Sequence, residues 1–390
     1  MASQGRSYHH DLKTIIASCP EALDLTNDGH MERVKKMVEE FLAMCPGVED
    51  IEILERELIE RKDKIPMSAH LAVKLAKSKR MVSLLKDEIK VSIVFAVYKE
   101  HNRIRTRVEH KDGENFLIRK LSQLKWLFDD YPNFSWELII VDDGCPMHSG
   151  KVAQQIIQER NIRDDVKVLF LEQAIQEGLS VTKPMENTDQ SQKGGSIAYG
   201  LWYSVQHCEQ ANHIVVYTDA DLSTHLGQIG LLLDGIINNG KDVAIGSRRE
   251  EASVVIKKGV RDSRGKLFIY LWKRMIGQLN YIVDTQCGFK AFSSDTVRSI
   301  VGNLMEKKFA FDIELLLKAE LNRKNAIAKV PIVWIDSEAA STTTELQPYL
   351  TMLKAIAKIY RKYLPPDDIA EEYAGFIESM DESNWHKLYP

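Results

Sequence analysis

The sequence predicts an α/β protein with a mostly parallel central sheet, preceded by a helical N-terminal extension. From about residue 90 onward, short apolar runs typical of strands alternate with amphipathic stretches typical of helices. This alternation is typical of parallel sheets that helices cover on both faces. The first 89 residues show only helical spacing of apolar residues and are dense in charge.

Length and composition limit the function classes. The 390 residues are 44% hydrophobic and 28% charged, which is enough for one large domain with appendages. The net charge of -4 gives no global basic field, so we expect no nucleic-acid partner. Five cysteines without a C-x-x-C pair argue against a zinc site or a disulfide framework. With no secretory leader and no apolar run near the ~20 residues of a membrane span, we expect a cytoplasmic protein, soluble or peripherally membrane-associated.

We expect three parts: a helical extension over residues 1–89, an α/β domain over 90–344 and a C-terminal helical segment over 345–390. In the α/β domain, strands are predicted over 91–98, 136–141, 166–171, 214–218 and 242–246. Helices are predicted near 116–127, 152–158, 197–206 and 226–237, and the polar segment 172–193 predicts a flexible loop. Ligands of such sheets collect at the carboxyl ends of the strands, so the residues that follow strands are the site candidates.

Asp219 and Asp221 end an apolar strand one residue apart. Two such carboxylates can share a hard divalent cation, Mg²⁺ or Mn²⁺, whose open positions would take substrate phosphates. A solvated turn is the simpler interpretation of an isolated Asp-x-Asp. The acids at other strand ends favour the metal site.

Glu100 closes the first strand, and Asp142-Asp143-Gly144 closes the second. Glycine permits a left-handed turn, which would let these acids face a nucleotide base or ribose. An exposed strand-end Glu and an ordinary Asp-Gly turn are the structural alternatives.

Two basic motifs could meet phosphate. Lys193-Gly194-Gly195 precedes a helix, where bare backbone N–H groups and a lysine suit a diphosphate. Arg248 follows a strand, and Arg264 comes soon after it. A solvated basic face is the alternative for these side chains.

Two further segments carry polar groups in unusual settings. Residues 284–290 form a compact polar string, in which Cys287 has no candidate base near it in sequence and is not expected to be a nucleophile. Asp312 and Glu314 lie within an apolar helical stretch. Buried acids either pair structurally or lie at an active site with a raised pKa.

Taken in order, these motifs resemble the family-2 glycosyltransferases with the GT-A fold, and within them the dolichyl- or polyprenyl-phosphate glycosyltransferases. The resemblance covers roughly residues 90–344, and its most specific part, residues 284–290, is similar to the dolichyl-phosphate glucosyltransferase branch. It implies a GT-A fold and an inverting, metal-dependent hexosyltransferase. The donor would be a nucleotide-diphosphate sugar, with UDP-glucose favoured, and the acceptor a polyprenyl- or dolichyl-phosphate-like lipid.

The resemblance also implies roles for individual residues. On the donor side it implies a base and ribose pocket at Tyr98, Glu100, Asp142 and Asp143, diphosphate contacts at Lys193, Gly194 and Gly195, and a metal at Asp219 and Asp221. For the remaining groups it implies phosphate contacts at Arg248 and Arg264. It implies a sugar and acceptor side from Gln286 to Lys290 and from Asp312 to Glu314. Asp312 or Glu314 would be the base if the acceptor were an alcohol.

Departures from the family pattern leave the acceptor open. Ser223 replaces a longer side chain that is usual in polyprenol enzymes, and Cys145-Pro146 replaces a small Ser-type residue. A soluble alcohol or phosphate acceptor is therefore one alternative, and a nucleotidyltransferase or a non-catalytic sugar-nucleotide-binding scaffold is another. A basic amphipathic stripe over residues 353–364 predicts either peripheral membrane contact or packing on the core. The sequence does not indicate an oligomeric state.

Overall fold

The computed structural model describes residues 12–20, 22–256, 262–336 and 347–381, with side chains described from residue 267 in the third range. The predicted fold class is confirmed: a seven-stranded, mostly parallel sheet lies at the centre, and helices cover it. Its strands are β1 (Ile89–Val97), β2 (Phe134–Asp142), β3 (Val166–Phe170), β4 (His213–Thr218), β5 (Val243–Ser247), β7 (Phe289–Ser293) and β8 (Ile327–Pro331). A small second sheet pairs β6 (Val254–Ile256) with β9 (Val333–Ile335).

The strand order in the large sheet is β3-β2-β1-β4-β7-β5-β8. Every pairing is parallel except those of β7, which runs antiparallel between β4 and β5. Strand β7 is not among the strands that the sequence predicts. Because β7 is reversed, its first residue, Phe289, pairs with Thr218 at the carboxyl end of β4. The loop before β7 therefore reaches the same edge as the Asp-x-Asp motif.

Helices occupy both faces of the sheet, and a further helical stretch covers residues 12–17. The helices of the extension and the first face are α1 (Asp28–Met44), α2 (Val48–Ile59), α3 (Met67–Leu84), α4 (Phe116–Phe128), α5 (Ser149–Glu159) and α8 (Ile229–Ile237). Those around the second face are α6 (Leu171–Gln176), α7 (Gly194–Gln206), α9 (Asp262–Met275), α10 (Ser294–Ile300), α11 (Phe311–Asn322), α12 (Gln347–Tyr363) and α13 (Asp368–Ser379).

Alternate residues of the central strands feed two separate cores. Val215 and Tyr217 of β4 join the core under α7 and α11, whereas Ile214 and Val216 join the core under α4 and α8. This period of two follows from the pleat of a strand. Strands buried on both faces show continuous apolar runs, which is why the sequence predicted them well.

The N-terminal extension is packed onto the α/β domain. Its own core contains Phe41 and Leu54 of α1 and α2, and it includes Val333 and Ile335 from β9. Helix α3 also contacts α8, and its Val82 joins the core beneath the sheet. The boundaries at residues 89 and 344 stay a prediction.

The structure differs from two local predictions, one for the segment 172–193 and one for the apolar stripe of α12. The segment 172–193 is not a structureless loop: it holds part of α6 and two short 3₁₀ turns, because Val181 and Met185 are buried in the core. The apolar stripe of α12, including Leu353 and Ile356, is buried against the protein, so this stripe does not face outward. In the described part of the chain, no helix combines the length and apolarity that a bilayer crossing requires.

Candidate active site

Asp143 organises the loop that leads into α7. Its carboxylate accepts hydrogen bonds from the Ser191 and Ser196 hydroxyls, both at 2.6 Å, and from the Lys193 backbone N–H at 2.8 Å. Lys193 has a left-handed φ of 81°, which is uncommon for a residue with a side chain, and the Asp143 contact holds it there. Burial raises the pKa of Asp143, and the three donors act against that rise.

Asp142 has a similar structural task at the neighbouring turn. It accepts from the Cys145 N–H at 2.8 Å and from the Gly150 N–H at 2.6 Å, at the start of α5. Both aspartates are only 5% exposed. The structure therefore uses their oxygens to shape the rim, and the expected contact with a base or ribose stays a prediction.

The two glycines before α7 are required by close packing. A Cβ on Gly194 would lie 2.6 Å from the Lys308 carbonyl oxygen, and a Cβ on Gly195 would lie 2.7 Å from the Ser191 hydroxyl. The Gly195 N–H already donates to the Lys307 carbonyl at 2.9 Å. A diphosphate contact at these glycines stays a prediction, and the Gly195 N–H is not open for it in this arrangement.

Lys193 and Asp219 bring the α7 loop to the end of β4. The Lys193 ammonium contacts the Asp219 carboxylate directly, and about a third of each side chain is exposed. Loss of water acts to raise the pKa of Asp219, but Lys193 and Arg248 outweigh it and lower the pKa. The carboxylate is thus ionised and partly open to ligands.

Asp221 is held by its own turn. Its carboxylate accepts from the Ser223 N–H at 3.0 Å and from the Ser223 hydroxyl. Ser223 is 4% exposed, so it orients the aspartate and does not reach into the cleft. The short side chain of Ser223 is therefore long enough to orient the Asp221 carboxylate.

The loop before β7 lies against Asp219. A Cβ on Gly288 would be 2.3 Å from Asp219 Oδ1, so only glycine fits there without moving the carboxylate. In the same loop, Thr285 Oγ1 and Gln286 Nε2 are buried without a hydrogen-bond partner among the described residues. Buried polar atoms in folded proteins normally have a partner, so these two groups are unusual in the core of the protein.

Arg248 is fixed next to this loop. Its backbone N–H and its Nε donate to Asp284 Oδ2, and Nη2 donates to Oδ1, each at 2.8 Å. The guanidinium also lies 5.3 Å from the centre of the Trp334 ring. Arg264 lies in α9, but its side chain is outside the described residues, so its phosphate role stays a prediction.

Lys290 and Asp312 form a buried pair under the site. The Lys290 ammonium donates to Asp312 Oδ1 at 2.8 Å, to the Tyr217 hydroxyl at 2.8 Å and to the Cys287 carbonyl at 2.6 Å. Burial lowers the pKa of Lys290 to about 7 and raises that of Asp312 well above its ordinary value. Lys193 lies near enough to Asp312 to oppose that rise, so Asp312 belongs to the same cluster as Asp219.

Glu314 is directed to other partners. Its carboxylate accepts from the Met305 N–H at 2.9 Å, the Glu306 N–H at 2.7 Å and the Tyr363 hydroxyl at 2.5 Å. It is fully buried and ties α11 to α12. Its role as a base stays a prediction. Of the two candidate acids, Asp312 is the one that lies near Lys193, which contacts Asp219.

Glu100 meets the Asp-x-Asp motif from the end of β1. Its carboxylate accepts two hydrogen bonds from Arg103 at 3.1 and 3.0 Å. Burial raises the pKa of Glu100 to about 7; Arg103 acts against this rise, and the nearby Asp221 adds to it. Tyr98 is 49% exposed on the same turn, and its contact with a base or ribose stays a prediction.

Lys120 of α4 is a site residue that sequence reasoning missed. Its ammonium is fully buried and donates to the Asp221 backbone carbonyl at 2.8 Å. Burial lowers the pKa of Lys120 to about 8, although Asp221 and Asp219 favour the charged form. Only its place on the apolar face of α4, next to Leu121 and Leu124, could have singled it out.

The structure therefore gathers at one edge most of the residues that the sequence singled out: Tyr98, Glu100, Asp142, Asp143, Lys193, Asp219, Asp221, Arg248, Gln286 and Asp312. Among the described residues there is no group of three or more His, Cys, Asp or Glu side chains that could hold a metal by itself.

Curated proteins give significant matches over most of the chain. The dolichyl-phosphate beta-glucosyltransferase of Dictyostelium discoideum is 26% identical over 289 residues, which cover 71% of this chain and 76% of that protein. The human protein of the same name is 27% identical over 283 residues, covering 70% and 76%. The chain is a glycosyltransferase. No protein-family model matches it.

Solved structures also align with this glycosyltransferase. Glucosyl-3-phosphoglycerate synthase from Mycobacterium tuberculosis, in complex with Mn²⁺, UDP and its product, is 17% identical. The alignment covers 75% of this chain and 85% of that one, with a TM-score of 0.49. Mannosyl-3-phosphoglycerate synthase from Rubrobacter xylanophilus aligns with a TM-score of 0.44 at 16% identity, covering 81% and 83%.

Proposed function

We propose that this glycosyltransferase moves glucose from UDP-glucose to a dolichyl-phosphate-like lipid, with inversion at the sugar C1. The names of its curated relatives support the sugar and the acceptor. The observation that carries the proposal is the contact between Lys193 and Asp219. It joins the loop before α7 to the Asp-x-Asp turn beside two unpaired buried polar atoms of the neighbouring loop.

Mg²⁺ or Mn²⁺ fits this arrangement. Asp219 and Asp221 offer the hard oxygen ligands that both ions prefer. In this structure the Asp219 carboxylate pairs with the Lys193 ammonium. With only two protein carboxylates, the remaining ligands would be phosphate oxygens of the donor and water. When bound, the ion would stabilise negative charge on the departing diphosphate.

The protein's own groups would position the reactants and stabilise charge. In the transfer, a phosphate oxygen of the acceptor forms a bond to C1 while the bond from C1 to the diphosphate breaks on the opposite face. A phosphate acceptor is already ionised, so this reaction needs no strong base. Lys193 would stabilise the leaving diphosphate, and Arg248, held rigid by Asp284, would stabilise phosphate charge at low reorganisation cost.

Calorimetric titration of the purified protein tests the donor and the metal. We expect UDP-glucose to bind more tightly than GDP-mannose and to need Mn²⁺. Asp221→Ala should weaken that binding at least tenfold, whereas Asp112→Ala, which removes an exposed aspartate paired with His110, should not change it. Full transfer activity of Asp221→Ala in chelator would refute the metal role. Mass spectrometry after incubation with dolichyl phosphate identifies the product, and glucosylation of a soluble acceptor alone would contradict the lipid acceptor.

A further inference from the structure

A cavity of about 610 Å³ lies between the N-terminal extension and the segment that follows β5. Residues 62–70 of the extension form one wall, and residues 248–256 form the other. We call this cavity the extension pocket. Its volume is within the range of roughly 300–1,000 Å³ that small-molecule sites occupy. Arg248 belongs both to this pocket and to the candidate active site, so the two are adjacent.

His70 is a buried polar group in the lining of the extension pocket. The side chain lines the pocket and is 1% exposed, and neither ring nitrogen makes a hydrogen bond of normal geometry with a described residue. Burial lowers the pKa of His70, and the Lys62 backbone carbonyl acts in the opposite direction. A neutral imidazole offers one donor and one acceptor, and a buried group of this kind normally has a partner.

The extension pocket is lined by three bases and three acids, and these groups differ in burial and pairing. Lys62 is exposed, and Arg248 is paired with Asp284. Arg249 is half-buried, and none of the described acids forms an ion pair with it. Glu250 is 3.8 Å from Lys329 and is thereby partly neutralised. Asp63 and Glu251 also line the pocket, but both are exposed at its mouth, where water and salt screen them. Among the half-buried charged residues of the lining, Arg249 is the one without an ion pair to a described residue.

The rest of the lining is apolar and comes from both walls. Ile65 and Met67 of the extension face the residues of β6, Val254 to Ile256, and all of these side chains are half-buried. A basic end beside Arg248 and an apolar wall beyond it are complementary to a ligand with an anionic head and an apolar chain.

We propose that the extension pocket binds the acceptor of the transfer reaction, and that this acceptor is an organic phosphate with an apolar chain. The inference rests on the proposed function and assigns the N-terminal extension a part in acceptor binding. The phosphate lies at Arg249, next to Arg248, and the first part of the chain lies along β6. His70 forms a hydrogen bond with the bound ligand.

Farnesyl phosphate is the probe, and its binding is measured by calorimetry without a donor. We expect Arg249→Gln and Met67→Trp, which fills the pocket from the extension side, each to raise the Kd at least tenfold. His70→Phe keeps the ring volume but removes both nitrogens and should raise the Kd about threefold to tenfold, as loss of one hydrogen bond does. Glycerol 3-phosphate, which lacks the chain, should bind at least tenfold more weakly than farnesyl phosphate and should not respond to Met67→Trp.

Matched controls separate the pocket from general effects. Arg163→Gln removes an exposed arginine beyond α5, and Ile53→Trp adds the same ring to an exposed position of the extension. Both should leave the Kd for farnesyl phosphate within twofold. All variants should keep the UDP-glucose Kd within twofold, and circular dichroism verifies that Met67→Trp is folded; if it is not, Arg249→Gln carries the test.

The outcomes distinguish this inference from the proposed function. A wild-type protein that does not bind farnesyl phosphate, or an Arg249→Gln variant that binds it normally, overturns the assignment of the pocket. Neither result affects the donor, which is tested by UDP-glucose binding. A protein that fails to bind UDP-glucose contradicts the proposed function, and the farnesyl phosphate titration still decides the pocket.

Discussion

Arg248 and Asp284 are joined by three hydrogen bonds of 2.8 Å, two from the guanidinium and one from the backbone N–H. Asp284 is 3% exposed, so the pair lies largely out of water. A bidentate arginine–carboxylate pair fixes both side chains in one geometry. The pair therefore connects the end of β5 to the loop that contacts Asp219.

Asp284→Asn should destabilise the protein in a pH-dependent way. Burial acts to raise the pKa of Asp284, but Arg248 lowers it to about 2, below the ordinary 3.8. Because the folded-state pKa is depressed, the stabilisation is complete above about pH 4 and is lost as the pH falls toward 2. We expect the variant to lose about 3 kcal/mol of unfolding free energy at pH 7. Urea unfolding at several pH values measures this.

The control for this prediction is Asp295→Asn, which removes an acid that is 94% exposed and pairs with Arg298. We expect a loss below about 1 kcal/mol there. A difference between wild type and Asp284→Asn that stays the same from pH 5 to pH 2.5 would show that the ion pair does not account for it.

Gly288→Ala should impair donor binding with a smaller effect on folding. The added Cβ would lie 2.3 Å from Asp219 Oδ1 and would displace the carboxylate. We expect Mn²⁺-dependent binding of UDP-glucose to weaken at least tenfold, measured by calorimetry. Gly302→Ala is the matched control, because a Cβ there meets no atom within 4 Å. Normal binding by Gly288→Ala would mean that the position of Asp219 is not critical.

Lys290→Met should be more destabilising than the double replacement of Lys290 and Asp312. The single change leaves the Asp312 carboxyl buried without its cation, which costs about 3–5 kcal/mol. Adding Asp312→Leu removes the unpaired carboxyl group, so we expect part of that loss to be recovered. A double-mutant cycle in urea measures the coupling. Additive effects of the two changes would contradict direct pairing.

Lys120→Met should weaken metal and donor binding although Lys120 is not exposed to substrate. The change removes the hydrogen bond to the Asp221 carbonyl and the positive charge behind the two aspartates. We expect Mn²⁺-dependent UDP-glucose binding to weaken about tenfold, because the Asp221 turn loses its support. Lys125→Met, on an exposed part of the same helix, should leave the binding of UDP-glucose unchanged. Equal losses from both variants would point to a general effect on α4.

Much of the fold could be predicted from the sequence, because strands buried on both faces leave continuous apolar runs and surface helices leave a periodic stripe. The sequence does not predict strand β7 because Phe289–Ser293 is short and contains a lysine, whose ammonium is buried in contact with Asp312 of α11. The segment 172–193 is predicted as a loop because its buried apolar residues, Ala174, Val181 and Met185, are isolated among polar ones.

The candidate site was predictable where motifs end strands and was not where partners are distant in the chain. Asp219 and Asp221 could be placed at an edge from topology alone. Lys120 could not, since its partner Asp221 is 101 residues away and nothing local distinguishes it. For Gly194 and Gly195, the sequence suggested phosphate binding, whereas the structure shows that backbone from residues 307–308 passes too close for a side chain at Gly194.

Helix α3 faces two cores at once, and this has a practical consequence. Its residue Ser78 approaches α8 so closely that a Cβ on Gly230 would be 2.4 Å from the Ser78 carbonyl oxygen. A fragment that starts at residue 90 would uncover the apolar surface of α8 that α3 now covers, together with Val333 of β9. Such a fragment would be prone to aggregate, so recombinant forms of this enzyme should retain residues 28–89.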